Sequence, residues 1–262
     1  MVRRKLAPSR QAAQQMIEAN QVLVDGSVAD KPARMVNTGQ NVRLSAPPPR
    51  FVSRGGLKLE KALDTFEIDP DGWRCLDAGS STGGFTDCLL SRGAQSVVAV
   101  DVGTNQLHER IRRNRRVTVM EQTDIRSLGL DDFDYPIDLI VADLSFISLR
   151  TVLASLAQLA NNSAPILALV KPQFEAGKAE ASKGRGVITD PAIWRRVLSE
   201  VADEAARYGL VARNATVSPI TGGAGNVEFI VWFDSARPQG YDKATEAVVF
   251  DMVVASGEGT PR

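Results

Sequence analysis

Four residues of this chain have the types and the setting for proton chemistry: Lys58, Asp143, Lys171 and Glu228. Asp143 closes the apolar run IDLIVAD, Lys171 closes ILALVK, Glu228 stands in GNVEFIVWF, and Lys58 lies in the amphipathic stretch SRGGLKLEKALDTF. A lysine at the end of a buried strand is costly unless a carboxylate meets it. Two lysines among two carboxylates would satisfy one another. An alcohol hydroxyl is a poor nucleophile and must lose its proton as it attacks. A lysine made less basic by burial or by a neighbouring cation can take that proton. The expected roles are Lys171 as base, with Lys58, Asp143 and Glu228 steering it. Singly, Lys58 on a helix reads as a solvated side chain; the ordered set of four carries more than any member.

A second cluster is the glycine-rich run LDAGSSTGGFT, residues 76–86. Gly79, Gly83 and Gly84 allow a sharp turn and close approach of backbone to a ligand. The run is neither GxGxxG nor a P-loop, which lacks support here without its GK[ST] ending. The form DAGxxxGG, followed by Asp101 at the end of VVAVD, resembles class I S-adenosylmethionine-dependent methyltransferases. The resemblance implies that Asp77, Gly79, Ser80, Ser81, Thr82, Gly83 and Gly84 hold the methionine end. Asp101 would accept from the ribose hydroxyls, Asp124 would meet the adenine edge, and Val102 and Asp143 complete the expected cofactor-binding set.

These residues need a scaffold. Strands are expected near 73–78, 96–101, 117–121, 137–142, 165–170, 210–218 and 226–233. Helices are expected near 53–66, 84–92, 104–113, 149–160, 190–208 and 242–255. Strands alternating with helices give an α/β fold with a mostly parallel seven-stranded sheet covered on both faces. The last two strands have no helix between them, so a closing hairpin should make one edge strand antiparallel. The segment 172–189 reads as a mobile basic loop or an inert surface one, with Lys178, Lys183 and Arg185 as RNA-facing candidates. Phe174 reads as packing under that loop or stacking on a base. Trp194 and Trp232 read as core.

Residues 1–46 look like a separate small α+β module, 47–53 like a linker stiffened by Pro47-Pro48-Pro49, and 54–262 like the sheet domain. Ser9 can cap a helix with Ala12, Ala13, Met16 and Ile17 on one face, and QVLVDG ends in an Asp25-Gly26 turn. The stretch SRQAAQQMIEANQVLVDG, with VNTGQNVRL behind it, resembles the S4 RNA-binding domain, N-terminally short. That resemblance makes Arg3, Arg4, Lys5 and Arg10 RNA-contacting candidates. Arg54 at the start of the next domain is another. Charge agrees: residues 1–58 hold ten Lys/Arg against three Asp/Glu although the whole chain nets to zero. A basic end on an acidic body fits a polyanionic partner, and also fits a merely solvated basic face.

Composition narrows the classes further. The two cysteines, Cys75 and Cys88, form no CxxC pair and His108 is the single histidine, so no metal site is expected and hydrolase triads are improbable. No run of about 18 apolar residues calls for a membrane span, and no apolar segment follows the basic start, which points to a cytoplasmic setting. Taken together, the K-D-K-E set, DAGSSTGGFTDCLL, VADLSFISL, LVKPQFE and GNVEF resemble the TlyA family, with an S4 domain ahead of an FtsJ-like methyltransferase domain. The family's RxWV linker element has its counterpart in Arg50-Phe51-Val52-Ser53, with Phe for Trp. The resemblance implies methyl transfer from S-adenosyl-L-methionine to a cytidine ribose 2′-hydroxyl of 16S or 23S ribosomal RNA, within subunits or ribosomes, by a monomer or homodimer. Competing classes are an inactive RNA-binding assembly factor, a small-molecule methyltransferase and, from a second name borne by the family, a membrane-damaging haemolysin.

Overall fold

A computed structural model describes residues 1–18, 20–29, 31–45, 49–161, 164–235 and 242–259. Contacts divide the chain into two units, Met1–Arg50 and Phe51–Arg262. Pro47 and Pro48 of the expected linker lie outside the described residues.

The first unit opens with a 3-10 turn, Val2–Arg4, and continues with α1 (Arg10–Glu18), β1 (Val22–Val24), β2 (Ser27–Val28) and β3 (Val42–Leu44). Ser9 Oγ accepts from the Ala12 N–H at 3.1 Å, the cap that starts α1. The helix lays Met16, with Ala13 and Ile17 beside it, on Val22, Val24 and Ala29. Asp25 and Gly26 both take positive φ, 52° and 86°, the backbone of a two-residue hairpin turn that matches strand twist. The strands pair antiparallel in the order β2-β1-β3.

The second unit runs α2 (Gly55–Phe66), β4 (Arg74–Ala78), α3 (Gly84–Ser91), β5 (Ser96–Val100), α4 (Glu109–Arg112), β6 (Val117–Met120), β7 (Leu139–Ala142), α5 (Leu153–Ala160), β8 (Ile166–Val170), α6 (Pro172–Glu175), α7 (Lys178–Lys183), α8 (Pro191–Ala206), β9 (Val211–Val217), β10 (Phe229–Asp234) and α9 (Lys243–Glu258). The seven strands lie in the order β6-β5-β4-β7-β8-β10-β9. The chain fills one side of β4 with β5 and β6, then crosses to the other side with β7. The carboxyl ends of β4 and β7 therefore form the switch point, where open α/β sheets bind ligands.

Alternation along each strand divides the core. In β8, Ile166, Ala168 and Val170 face a cluster built with Leu153, Trp194 and Phe250 of α5, α8 and α9. Leu167 and Leu169 face the other cluster, with Leu59 and Leu63 of α2 and Leu89 of α3. Every residue of β7 and β8 is buried, the signature of parallel strands covered on both faces. Burying each of Leu59 and Leu63 contributes about 1.5–3 kcal/mol, which fixes α2 and with it Lys58 against the sheet.

Four expectations need correction. The antiparallel strand is β10, which pairs with both β8 and β9, so it sits one place inside the edge and β9 is the edge strand. The helix expected over 104–113 shrinks to α4, because Asn105 takes φ 55° and the Glu121 carboxylate gathers the N–H groups of Asn105 and Gln106 at 3.0 and 3.1 Å. His108 supplies the cap of that short helix, its Nδ1 accepting from the Arg110 N–H at 3.1 Å. The 172–189 segment is not a plain loop: Pro172 at the first helical position starts α6, and KAEASK, rich in helix formers, makes α7. Trp194 is core as expected, whereas Trp232 is partly buried under the Arg213 guanidinium, 4.6 Å from its ring centre.

Candidate active site

The four chemistry-bearing residues arrive from four elements at one place. Asp143 follows β7, Lys171 follows β8, Glu228 immediately precedes β10, and Lys58 projects from α2. Lys171 Nζ lies 2.6 Å from Asp143 Oδ1 and donates to Ser145 Oγ at 2.9 Å. Lys58 Nζ lies 2.6 Å from Glu228 Oε2 and 3.8 Å from Asp143 Oδ2. Asp143 is thus shared by the two lysines. Lys58, Lys171 and Glu228 are buried, at 8%, 6% and 2% exposure, so each charge depends on its partner. Gln173 Nε2 donates to Glu228 Oε1 at 3.2 Å and completes the cluster.

The cluster opens into a cavity of about 580 Å³, whose wall also includes Arg54, Ser80, Phe146, Phe174 and the turn Ile220–Asn226. Gly222 lets that turn lie on Glu228: a Cβ there would come within 2.5 Å of Glu228 Oε1. A second cavity of about 460 Å³ adjoins it, with Gly79, Asp101, Val102, Asp124 and the segment Asp143–Ile147 in its wall. Asp143, Ser145 and Phe146 line both.

The glycine run follows from steric need. Gly79 takes φ 86°, and a Cβ on it would stand 2.7 Å from the Asp143 carbonyl oxygen. Gly83, at φ 94°, forms the start of α3. Ser81 and Gly103 N–H groups donate to the two Asp101 oxygens at 2.8 and 2.7 Å, which aims that carboxylate along the rim of the second cavity. Asp124 reaches the same cavity, but its carboxylate is engaged by Arg126, which holds its pKa below the usual range.

Asp77 sits elsewhere than a ligand contact would. It is fully buried beneath the loop, and Thr86 Oγ1 donates to its Oδ2 at 2.6 Å, tying β4 to the first turn of α3. Burial pushes its pKa up to about 7, against the smaller pull of Thr86. Among the described residues, its other oxygen has no hydrogen-bond partner. Both cysteines are buried, and burial raises the Cys75 thiol to about 12, which makes it inert.

Several residues of the site were not among the expected ones. Ser145, Phe146 and Gln173 stand directly at the cluster. Phe146 takes φ 64°, is 93% exposed and lies against Phe174, ring centres 5.6 Å apart. An aromatic ring held open to solvent at a strained backbone position is unusual in a folded chain. The motif VADLSFISL contained it, but nothing in the spacing marks which of its apolar residues faces out.

Of the expected RNA contacts, Arg54 lines the first cavity. Lys183 and Arg185 are exposed and line none of the described cavities; Lys178 has no described side chain. In the first unit, Arg3, Arg4 and Arg10 border a groove that Lys31 and Arg34 also border, two basic residues the sequence reading omitted. Arg4 is partly committed inward, donating to the Gln40 carbonyl at 2.7 Å. Lys5 is exposed outside the groove. Among the described residues, no cluster of acidic, histidine or cysteine side chains could hold a metal, and no helix is long and apolar enough to cross a membrane.

Residues 51–235 match the FtsJ-like methyltransferase family, and residues 1–42 match the S4 domain. The chain belongs to the FtsJ-like methyltransferase family. A Mycobacterium tuberculosis relative, the 16S/23S rRNA (cytidine-2′-O)-methyltransferase TlyA, is 47% identical over 88% of this chain and 87% of its own length. The Campylobacter jejuni 23S rRNA (cytidine-2′-O)-methyltransferase TlyA is 32% identical over 88% of this chain and 96% of its own. A Brachyspira hyodysenteriae relative called Hemolysin A is 38% identical, covering 86% and 93%. Among solved structures, a Lactococcus lactis chain titled a putative hemolysin superposes with TM-score 0.72 at 42% identity, covering 80% of this chain and 99% of its own. In this FtsJ-like chain, the K-D-K-E cluster and the glycine loop both fall inside the matched residues.

Proposed function

We propose that this FtsJ-like chain transfers a methyl group from S-adenosyl-L-methionine to the 2′-hydroxyl of a cytidine in 16S or 23S ribosomal RNA, presented in a subunit or ribosome. The observation that carries the reading is the continuous Lys171–Asp143–Lys58–Glu228 chain of ion pairs at the switch point, one wall away from a cavity rimmed by Asp101.

The second cavity suits the cofactor. Its volume lies in the range of small-molecule sites. Asp101 offers acceptor oxygens for a pair of ribose hydroxyls, and the φ of Gly79 leaves the backbone bare where the methionine end would pass. Val102 offers an exposed apolar surface to the adenine, and Asp124 keeps lone pairs beyond those Arg126 takes. When bound, S-adenosyl-L-methionine supplies an electrophilic methyl on sulfur. Everything else is the work of the chain. Lys171 accepts the hydroxyl proton as the oxygen attacks. Asp143 and Ser145 fix the direction of its nitrogen. Lys58, braced by Glu228 and through it by Gln173, keeps Asp143 from turning away. Holding the acceptor oxygen in line with the methyl supplies the larger part of the rate.

Phe146 offers a face to a base taken out of its stack, and Arg54 stands where a flanking phosphate would pass. Arg3, Arg10, Lys31 and Arg34 of the S4 unit supply sequence-independent attraction to the RNA backbone. The chain works as a monomer or a homodimer and in the cytoplasm, where its substrate resides.

The test is transfer of labelled methyl from S-adenosyl-L-methionine to ribosomal subunits from cells lacking the gene, followed by nucleoside mass spectrometry. The expected product is 2′-O-methylcytidine, absent when Lys171→Ala replaces the native enzyme. A native protein that binds the cofactor but labels neither subunit would overturn the reading.

A further inference from the structure

Glu175 is a buried carboxylate, 3% exposed, that the proton transfer itself does not use. It ends α6, the short helix that begins one residue after Lys171. Its Oε1 accepts from the Leu149 N–H at 2.6 Å, and its Oε2 from Ser148 Oγ at 2.5 Å and Arg150 Nε at 3.2 Å. The Arg150 guanidinium also donates to the Glu175 carbonyl at 2.9 Å and to Glu200 of α8 at 3.2 Å. All of these ties except the one to Glu200 join the α6 end to residues 148–150.

The same two pieces of chain are joined a second time, at Lys171 and Asp143. Residues 144–147 therefore form an arch with both feet pinned to the Lys171–Glu175 segment. One foot is the catalytic ion pair and the other is Glu175. The arch carries Ser145, which accepts from Lys171, and Phe146, whose strained φ of 64° needs its surroundings to hold it. Without the Glu175 foot, the polar ties of the arch to this segment would all lie at Lys171, at the mouth of an open cavity.

We propose that Glu175 is a positioning residue of this active site: by clamping residues 148–150 it fixes the arch that sets Ser145 on Lys171 and holds Phe146 in its strained, outward pose. The catalytic half of this proposal rests on the methyl-transfer reading above; the clamp itself does not. A carboxylate suits the task because it alone accepts from an amide, a hydroxyl and a guanidinium at once.

The experiment compares the native chain with Glu175→Gln and with Ser148→Ala, which removes one donor and leaves the carboxylate. Glu175→Gln keeps the size and one acceptor oxygen but turns an N–H₂ toward Ser148 and Arg150. Amide hydrogen exchange is read first. The expected result is faster exchange at residues 144–149, about tenfold or more in Glu175→Gln and less in Ser148→Ala, with β4, β7 and β8 unchanged. Single-turnover methyl transfer at saturating RNA and cofactor is read second. The expected result is a loss of about 10- to 100-fold in Glu175→Gln with cofactor Kd within about threefold of native, a kcat effect of misplacement. Native exchange across 144–149 in a folded Glu175→Gln overturns the proposal. So does a native single-turnover rate, or a rate loss matched one for one by loss of cofactor-binding capacity, which marks a merely structural role. Should Glu175→Gln fail to fold, Ser148→Ala decides by the same two readings. A native enzyme that labels no RNA overturns the function proposed above while leaving the exchange result to judge the clamp.

Discussion

The two cavities at the switch point are built by opposite means. The one holding Lys171 is built from side chains: three buried charges and the partly buried Asp143, each satisfied by another that arrives from a different element. The one rimmed by Asp101 leans on backbone: the turn at Gly79, held at positive φ, and amide groups aiming one carboxylate. A wall made of side chains concentrates chemistry but fails when any member is removed, because the partner stays behind as an unpaired buried charge. A wall made of backbone tolerates side-chain exchange and is sensitive to an added Cβ. Transfer of one carbon between a bound donor and a bound acceptor needs both kinds, one to move a proton and one to hold a large polar molecule.

Substitutions can break or sharpen this contrast. The largest effect is expected for Lys58→Ala. It strands Glu228, 2% exposed, with Gln173 as its remaining close partner, so stability should fall by about 3–5 kcal/mol and transfer by at least about 100-fold. Denaturant melts and single-turnover rates read both; a mild loss of either would show that Glu228 finds another partner. Gly79→Ala comes next and strikes the backbone side: strain at φ 86° and the 2.7 Å approach to Asp143 should cost about 1–3 kcal/mol, seen as weaker cofactor binding by calorimetry. Asp101→Asn should weaken cofactor binding by about tenfold, leaving the rate at saturating cofactor close to native. If that rate collapses instead, the two cavities are not separable in the way their construction implies.

The smallest effect on methyl transfer is expected for Asp77→Asn, whose mark lies in the pH dependence of stability. The folded state holds the Asp77 proton up to about pH 7, whereas the unfolded chain releases it near 3.8. Between those values the folded state binds more protons, so this group's contribution to stability is greatest at low pH and declines as pH rises to about 7. Asparagine mimics the protonated form. The variant should match the native chain near pH 4, exceed it near pH 8, and flatten the slope between, as thermal melts across that range would show. A native slope in the variant would assign the burial cost to another group.

Much of this was legible in the residues. Parallel strands buried on both faces read as unbroken apolar runs, so β7 and β8 announced themselves, and the charged residue ending each run had to lie at the sheet rim. Asp101 was found the same way. What the residues did not reveal depends on how the chain turns after the strand. Ser145 and Phe146 sit on an arch whose shape comes from a pair of clamps at its feet, and the Glu175 foot is not visible in a pattern of period two or 3.6. Nothing in PQFE marks Glu175, because its three donors come from more than twenty residues earlier. The short α4 was misjudged for a related reason: Glu121, beyond the segment, pulls its amides out of helical register.

Asp143 belongs to both cavities, its carbonyl oxygen pressed on Gly79 and its carboxylate on Lys171 and Lys58. Its own N–H is bonded to the Ala78 carbonyl at 3.0 Å, the residue just before that glycine. When the ends of β4 and β7 sway, donor seat and acceptor seat are carried together, as two instruments bolted to one plate share its vibration. The gap between them then changes far less than the position of either. Alignment over a fraction of an ångström is kept by a common mounting rather than by stiffness of the whole domain.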